Sequence, residues 1–421
     1  MNQEKTTYFP SISDIKKAAD TIKNVSAVTP LSLSFRYSEA YQAEVYFKRE
    51  DLQQVRSYKI RGAYNKISSL SKEEAKNGVV CASAGNHAQG VALSCKLLKI
   101  KGVIFMPAPT PNQKVEQVKM FGGDYVSIVL EGDTFDDAYH LAKTECEQLN
   151  KTFIHPFNDK KVIEGQATIA LEILEQATKP IDYVFVAVGG GGLAAGLSTV
   201  FKQLSPQTKI IGVEPEGAPS MSTSIDNNKI ITLGNIEKFI DGAAVKRVGD
   251  LNFAICKQNL DDMICIPEGK VCQTILDLYN KDAIVVEPAG ALSISALDYY
   301  TNKIKNKNVV CIVSGSNNDI TRTSEIKERA LLYTNLKHYF IIKFPQRAGA
   351  LKEFVVDILG EGDNITYFQY AKKTNRENGY AVVGIELKAS TDLQPLIDKM
   401  KQHNFYGDYL NNKPDLFQFL V

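Results

Sequence analysis

Four consecutive glycines interrupt an apolar segment near the middle of the chain, and they constrain its fold more than any other feature. The segment reads AVGGGGLAAG and covers residues 187–196. The preceding YVFVAV has the aromatic and β-branched composition of a buried strand, and the following GLAAGLSTVFKQL has a helical pattern. Glycine adopts positive φ angles and allows close approach to the backbone. The segment therefore predicts a strand, a tight turn and a helix in succession.

A turn of this kind presents main-chain N–H groups at the positive end of a helix dipole, which is an arrangement that binds anions. No Gly-Lys-Ser/Thr follows, so the segment is not a P-loop, and it lacks the GxGxxG spacing and acidic partner of a dinucleotide site. We predict that the turn binds the phosphate of a ligand that is neither a nucleoside triphosphate nor a dinucleotide. A tight turn without a ligand is the alternative.

Composition excludes several other classes of protein. The net charge is +1 over 421 residues, which predicts neither nucleic acid nor a membrane as a partner. Residues 183–201 carry no charge, but the glycines would break a spanning helix. The seven cysteines form no CxxC pair, and the charged N-terminus lacks the apolar core of a signal peptide. We expect buried reduced thiols, no cysteine metal site and a cytoplasmic location.

Short apolar runs alternate with helical patterns over the first three quarters of the chain. Strand-like runs such as GVVCAS, GVIFMP, DYVSIV, DYVFVAV, KIIGVEP and NVVCIVSG are separated by amphipathic segments. Near-continuously apolar strands that alternate with helices are typical of parallel sheets covered on both faces. The sequence therefore predicts an α/β fold for this part.

The pattern changes after about residue 325. KHYFIIKFP, NITYFQYAKK and GYAVVGIEL are predicted strands, AGALKEFVVDILG and LQPLIDKMKQH are predicted helices, and LFQFLV is a predicted last strand. This β-α-β-β-α-β order is typical of the ferredoxin-like α+β unit. We predict a first domain at 1–325, with a smaller subdomain at roughly 53–155, and a linker helix with a second domain at 326–421.

Three further segments place small and polar residues where a strand becomes a helix or ends. SYKIRGA contains Lys59, SAGNHAQG begins at Ser83, and VSGSNND contains Ser314. With GGGGL, VEPEGA and VEPAGA, these motifs resemble those of pyridoxal-phosphate enzymes of the tryptophan-synthase-β fold, in the threonine/serine dehydratase branch. The resemblance covers residues from about 10 to 325. It implies a fold of two subdomains with parallel sheets, and pyridoxal 5'-phosphate as cofactor.

The resemblance also implies a role for individual residues. Lys59 is the Schiff-base lysine and the base that takes the Cα proton, and Ser83 can move a proton on the opposite face. Ser83, Ala84, Gly85, Asn86 and His87 line the substrate carboxylate site, although His87 also fits a capping or packing role. The remaining cofactor contacts are Asn86 to the ring oxygen, Gly189, Gly190, Gly191, Gly192 and Leu193 to the phosphate, and Ser314 to the pyridine nitrogen.

The resemblance implies the roles of some other residues less specifically. Glu287 and Gly242 lie where the family approaches the cofactor ring, and a structural role fits them equally well. Glu214, Ala218 and Ser220 lie where some relatives bind a cation. Serine replaces the carboxylate of those relatives at the third position, which weakens a divalent site. The sequence predicts a monovalent cation at most, and no other metal.

The implied reaction is deamination of L-threonine to 2-oxobutanoate and ammonia, the first committed step of isoleucine biosynthesis, with L-serine as a poorer substrate. Discrimination between these substrates depends on one methyl group, which contributes only about 1–3 kcal/mol. A serine racemase or a broad serine/threonine dehydratase is the first alternative. A non-catalytic amino-acid sensor is the second, and an intact Lys59 argues against it.

The C-terminal segment with FPQRAGALKEF and NITYFQY resembles the ACT-like regulatory domain of biosynthetic threonine dehydratases, in a short form with one unit. The resemblance implies an amino-acid effector, isoleucine as inhibitor and valine as its antagonist. The implied contacts are Gly349, Ala350, Leu351, Asn364 and Ile365. Because such sites form between two units, we expect a homodimer or homotetramer. A domain that only mediates oligomerisation is the alternative.

Overall fold

The computed structural model describes residues 8–370 and 377–413 of the chain. The division between two compact units falls after Asp319. The sequence-based boundary at residue 325, and the limits 53–155 of the smaller subdomain, stay predictions.

Within the described ranges the strands are β1 (Leu31–Leu33), β2 (Glu44–Arg49), β3 (Val79–Ala82), β4 (Gly102–Met106), β5 (Val126–Leu130), β6 (Thr152–Phe153), β7 (Tyr183–Ala187), β8 (Lys209–Pro215), β9 (Asp262–Ile266), β10 (Asn308–Val313), β11 (Lys337–Pro345), β12 (Asn364–Tyr370), β13 (Asn378–Glu386) and β14 (Tyr406–Tyr409).

Helices connect nearly all of these strands. The α-helices of the described residues are α1 (Ile12–Ile22), α2 (Phe35–Tyr41), α3 (Lys59–Ser68), α4 (Lys72–Asn77), α5 (Asn86–Leu98), α6 (Asn112–Gly122), α7 (Phe135–Leu149), α8 (Lys160–Gln176), α9 (Gly192–Leu204), α10 (Ser220–Asp226), α11 (Asp250–Asn259), α12 (Glu268–Asp282), α13 (Pro288–Ser295), α14 (Thr301–Ile304), α15 (Thr323–Tyr333), α16 (Ala350–Glu353) and α17 (Leu393–Gln402). None of them is long and apolar enough to cross a bilayer.

The first unit contains two sheets. The larger has the strand order β1-β2-β10-β7-β8-β9, and all of its pairs are parallel except β1 with β2. The smaller has the order β5-β4-β3-β6 and is entirely parallel. Each sheet has its own apolar core. The predicted α/β class is therefore confirmed, and the uncharged residues 183–201 form a strand, a turn and a helix.

Because β10 and β7 are parallel neighbours, their carboxyl ends lie at the same edge of the larger sheet. The glycine turn follows β7, and Ser314 follows β10. This edge is where open α/β sheets bind their ligands.

A buried network of charged side chains fixes the helix that begins at Lys59. Arg61 donates to both oxygens of Glu50, at 2.8 Å each, and to both oxygens of Glu172, at 2.6 and 3.0 Å. Lys48 also donates to Glu172, at 2.5 Å. Arg61, Glu50 and Lys48 are at most 1 % exposed. Two positive and two negative charges balance here, and they tie α3 to α8 and to the end of β2.

The second unit contains an antiparallel sheet with the order β12-β13-β11-β14. This order, with one helical segment after β11 and α17 after β13, confirms the predicted ferredoxin-like unit. The fourth strand is Tyr406–Tyr409. The predicted strand LFQFLV lies outside the described residues. The helix predicted for AGALKEFVVDILG is α16 for one turn and then a π-helical turn at Phe354–Ile358.

Candidate active site

The glycine turn joins β7 to α9 and is largely buried. Gly191 has φ 89°, which side-chain-bearing residues rarely adopt. Gly190 lies so close to Phe157 that a Cβ at this position would be 2.3 Å from the phenyl ring. The turn thus requires glycine at these positions for conformation and for packing.

The N–H groups of residues 190–193 have no acceptor among the described residues. Buried N–H groups are nearly always paired in native proteins. Here they lie at the start of α9, where the helix dipole favours negative charge. An anionic oxygen group satisfies them, so the turn fits the phosphate of pyridoxal phosphate.

The side chain of Asn252 forms hydrogen bonds with main-chain carbonyls at the same turn. Its Nδ2 donates to the carbonyl of Gly190 at 2.7 Å and to that of Phe157 at 3.1 Å. The N–H of Gly249 also donates to the carbonyl of Gly190, at 3.1 Å. These bonds satisfy the carbonyl of Gly190, whereas the N–H groups of residues 190–193 have no acceptor among the described residues. Sequence reasoning missed Asn252, since a single asparagine in a helix has no motif around it.

Lys59 is the first residue of α3, and its Nζ donates to the carbonyl of Pro156 at 2.9 Å. Phe157, the next residue, packs against the glycine turn. The predicted lysine and the predicted anion site are thus joined through residues 156 and 157. Burial lowers the pKa of Lys59 to about 8, against the opposing effect of the Glu287 carboxylate. A larger fraction of this amine is therefore neutral near physiological pH than of an ordinary lysine.

The segment SAGNHAQG forms the junction between β3 and α5. The hydroxyl of Ser83 accepts from the N–H of Gly85 at 3.2 Å, and a Cβ on Gly85 would meet nothing within 4 Å. Gly85 therefore borders open space, and Ala84 packs in part against the core of the smaller sheet. The imidazole of His87 is buried, and its Nε2 bonds with the carbonyl of Ile154 at 2.8 Å. Burial lowers the pKa of His87 to about 3, so the ring is neutral, which suits a packing role; its place at the substrate stays a prediction.

Asn86 takes part in a chain of side-chain hydrogen bonds. Its Nδ2 donates to Oε1 of Glu287 at 2.6 Å, and its Oδ1 accepts from Nδ2 of Asn317 at 2.5 Å. Glu287 is only 5 % exposed. Burial, with the nearby Asp241 carboxylate, raises the pKa of Glu287 to about 7. Sequence reasoning did not identify Asn317, although it lies in the VSGSNND segment.

Ser314 follows β10 and is buried, with its hydroxyl donating to the carbonyl of Ala289 at 3.2 Å. Its own carbonyl accepts from the N–H of Tyr58, next to Lys59, at 3.2 Å. A Cβ on Gly242 would lie 2.7 Å from the Cβ of Ala289 and 3.8 Å from Oε1 of Glu287. The structure thus brings Ser314 and Lys59 together and places Gly242 beside Glu287.

The carboxylate of Glu214 accepts from the N–H groups of Met221 and Ser222, at 2.6 and 2.8 Å. The buried Ser220 hydroxyl lies close enough to this carboxylate to lower its pKa. Burial raises the pKa of Glu214 to about 7. In the described part of the chain, no group of three or more His, Cys, Asp or Glu residues is arranged to hold a metal ion. The monovalent site at Glu214, Ala218 and Ser220 stays a prediction.

The residues predicted to bind an effector lie in the second unit. Gly349 precedes α16 with φ 85°, and a Cβ on it would meet nothing within 4 Å. Ala350 is buried, Leu351 is 48 % exposed, and Asn364 and Ile365 begin β12. Their role stays a prediction.

Two family descriptions match the chain. Residues 22–315 match the family "Pyridoxal-phosphate dependent enzyme". Residues 328–420 match the family "C-terminal regulatory domain of Threonine dehydratase".

Similar proteins extend these matches over nearly the whole chain. The protein "L-threonine dehydratase biosynthetic IlvA" of Halalkalibacterium halodurans is 54% identical over 410 residues, which are 97% of this chain and 99% of that relative. The Bacillus subtilis protein of the same name is 53% identical over 410 residues, 97% of each chain. A solved structure of threonine deaminase isoform 2 from Solanum lycopersicum has a TM-score of 0.72 at 42% identity and covers 76% of this chain and 95% of its own. A maize serine racemase has a TM-score of 0.71 at 32% identity, with 77% and 99% covered.

Proposed function

Because the chain belongs to the biosynthetic L-threonine dehydratases, which are pyridoxal-phosphate-dependent enzymes, we infer that it deaminates L-threonine to 2-oxobutanoate and ammonia. The reaction is a β-elimination: the Cα–H and Cβ–OH bonds break, water leaves, and the enamine product hydrolyses to the keto acid and ammonia. It is the committed step that supplies the carbon skeleton of isoleucine.

One observation carries this proposal: an amine with a lowered pKa lies beside a turn with free N–H groups. Lys59 Nζ contacts Pro156, and Phe157 contacts the glycine turn. An aldehyde cofactor with a phosphate tail needs both a neutral amine and an anion site. Pyridoxal phosphate, when bound, supplies the electron sink that makes the Cα proton of the amino acid acidic.

The proposed cofactor contacts follow from these positions. Lys59 carries the aldehyde carbon, Asn86 donates to the ring oxygen, and the hydroxyl of Ser314 meets the ring nitrogen. The phosphate is bound by the N–H groups of Gly189, Gly190, Gly191, Gly192 and Leu193. A neutral hydroxyl at the ring nitrogen leaves it unprotonated, which weakens the electron sink and favours elimination over transamination.

The substrate is bound and deprotonated by two of the segments described above. Ser83, Ala84, Gly85 and Asn86, with the main chain of His87, line the site of its carboxylate. Once Lys59 Nζ is released as a free amine, it takes the Cα proton, and the lowered pKa of Lys59 favours the neutral form that can do so. Ser83 can hold a proton on the opposite face.

The experiment that tests the function is an assay of keto-acid formation by the purified protein with added pyridoxal phosphate. We expect a higher kcat/KM for L-threonine than for L-serine, by about 10- to 200-fold, which is the range that one apolar group provides. Equal values would indicate a broad dehydratase. The absence of keto acid from either substrate would contradict the proposal.

Serine racemase is the second candidate, because the maize enzyme of that name matches at 32% identity. Racemisation requires proton donors on both faces of Cα, which Lys59 and Ser83 could provide. The C-terminal regulatory match favours the dehydratase, since control by an effector is suited to a committed biosynthetic step. Chiral analysis of serine recovered from the assay distinguishes the two.

We also propose that the second unit binds isoleucine as an inhibitor, and that valine opposes it. Gly349, Ala350, Leu351, Asn364 and Ile365 are the proposed contacts, and the site is completed by a second chain in a homodimer or homotetramer. The match to a regulatory domain of threonine dehydratase supports this proposal. The cytoplasm is the proposed location, because all seven cysteines are free thiols.

Truncation after Asp319 tests the regulatory proposal. We expect the truncated protein to deaminate L-threonine and to show no inhibition by isoleucine, because the second unit is a separate compact unit with its own core. The measurement is initial rate against isoleucine concentration, with the full chain as control. An active truncated protein that isoleucine still inhibits would contradict the assignment.

A further inference from the structure

We propose that Asn317 and Glu287 are positioning residues that lock the side-chain amide of Asn86 in one orientation, so that the amide can only donate to the cofactor ring oxygen. The inference rests on the proposed function, since it requires pyridoxal phosphate beside Asn86. It assigns a role to Asn317, a residue of the VSGSNND segment to which the sequence alone gave none.

On the Asn317 side, the orientation of the Asn86 amide depends on a main-chain carbonyl, which can only accept a hydrogen bond. Nδ2 of Asn317 donates to the main-chain carbonyl of Val55 at 2.9 Å. A carbonyl has no proton, so the nitrogen of the Asn317 amide must lie on that side. The second N–H of the same nitrogen points to Asn86, at 2.5 Å from its Oδ1. Asn86 must therefore present its oxygen to Asn317.

On the Glu287 side, a second acceptor favours the same orientation of the Asn86 amide. Nδ2 of Asn86 donates to Oε1 of the buried Glu287 at 2.6 Å. Turning the Asn86 amide over would place its oxygen against the Glu287 carboxyl, which has no proton to donate in its ionised form, and its nitrogen against the amide nitrogen of Asn317. Each mismatch leaves a buried polar group unpaired, which costs about 1–3 kcal/mol. The two ends therefore favour the same orientation.

One N–H of the Asn86 side-chain amide has no acceptor among the described residues. An amide nitrogen carries two protons, and only the bond to Glu287 uses one among the described residues. A group that donates and cannot accept forms a stronger hydrogen bond with a deprotonated oxygen than with a protonated one. The locked amide thus favours the deprotonated form of the ring oxygen.

Asn317→Asp is the sharpest test. A carboxylate at residue 317 can only accept, so it attracts the nitrogen of Asn86 and turns the amide over. The ring oxygen then faces an acceptor and retains its proton. The absorption spectrum of the protein loaded with pyridoxal phosphate reports this proton, because the visible band belongs to the deprotonated ring oxygen and a near-ultraviolet band to the protonated one. We expect the ratio of the visible to the near-ultraviolet band to fall by about tenfold or more.

Two further variants separate orientation from stability. Asn317→Leu removes the constraint without reversing it, so we expect a smaller fall in the band ratio. In the double variant with Asn317→Asp and Glu287→Gln, the new glutamine amide can donate to the reversed Asn86 oxygen. We expect the double variant to recover thermal stability relative to Asn317→Asp but not the visible band.

Asn65→Leu is the matched control. Asn65 is buried in the same unit and donates to one main-chain carbonyl, that of Lys161, at 2.7 Å, but it does not contact Asn86. We expect it to lower thermal stability and leave the band ratio unchanged. Equal band ratios in Asn317→Asp and Asn65→Leu would overturn the lock. A wild-type protein with no cofactor absorption would instead reject the proposed function.

Discussion

Replacing Lys59 with alanine is expected to lower the turnover of L-threonine by about 10³-fold or more, because one side chain both binds the cofactor aldehyde and takes the Cα proton. The methyl group of alanine provides neither function. Lys59 forms no ion pair with any described residue; its Nζ donates to the carbonyl of Pro156 and lies 5.3 Å from the centre of the Tyr58 ring. We therefore expect the fold to be retained, with a circular dichroism spectrum like that of the wild type.

The matched control is Lys66→Ala, in the same helix. Lys66 forms an ion pair with Asp159 at 3.1 Å, and both side chains are 20% exposed. Exposed and partly exposed pairs contribute about 0–1 kcal/mol, so we expect nearly unchanged turnover. A Lys59→Ala enzyme that retained more than about a tenth of the wild-type rate would contradict the assigned role.

Replacing Arg61 with methionine is expected to lower the free energy of unfolding by about 3–5 kcal/mol, because it leaves the fully buried Glu50 without its main cationic partner and removes one of the two cations paired with the partly buried Glu172. Arg61 donates to both carboxylates and is itself 1 % exposed. Methionine has a similar length, so the loss comes chiefly from charge and hydrogen bonds. Urea titration followed by circular dichroism measures it.

Arg36→Met provides the comparison for Arg61. The Arg36 guanidinium also donates to a carboxylate through two nitrogens, that of Asp282, but its side chain is 31% exposed. Solvent compensates there, so we expect a loss of about 1 kcal/mol or less. If the urea titrations of Arg61→Met and Arg36→Met had equal midpoints and slopes, the result would contradict a stabilising role for the buried network around Arg61.

The glycine turn illustrates what the sequence predicts well. A strand-like run, four glycines and a helical run are local signals, and the structure places β7, the turn and α9 in that order. The alternating pattern likewise predicted the parallel sheets, because strands buried on both faces have few polar residues. The order of elements in the second unit followed from the same local patterns.

Contacts between distant segments could not be predicted in this way. The carbonyl of Pro156 bonds with Lys59, and Asn252 bonds with Gly190, yet no property of these residues marks them in the sequence. A main-chain carbonyl carries no sequence signal, and a lone asparagine is usually a surface or turn residue. Asn317 lay inside a predicted segment, but its partner Val55 is far away along the chain.

His87 shows the limit of a motif. The resemblance assigned it to the substrate site, which stays a prediction, and its imidazole bonds with the carbonyl of Ile154. His87 lies in the first turn of α5, and its imidazole is buried. The proposal therefore keeps only the main chain of His87 at the substrate, and substitution of the imidazole is expected to act through packing.

The central claim is that pyridoxal phosphate is attached to Lys59, and chemical reduction with peptide mapping tests it most directly. Sodium borohydride makes the linkage permanent, and mass spectrometry of a digest then locates the added group. The account predicts one pyridoxyl phosphate group per chain, on the peptide that contains Lys59. Attachment to another lysine, or an unmodified Lys59 peptide from a fully loaded protein, would contradict it.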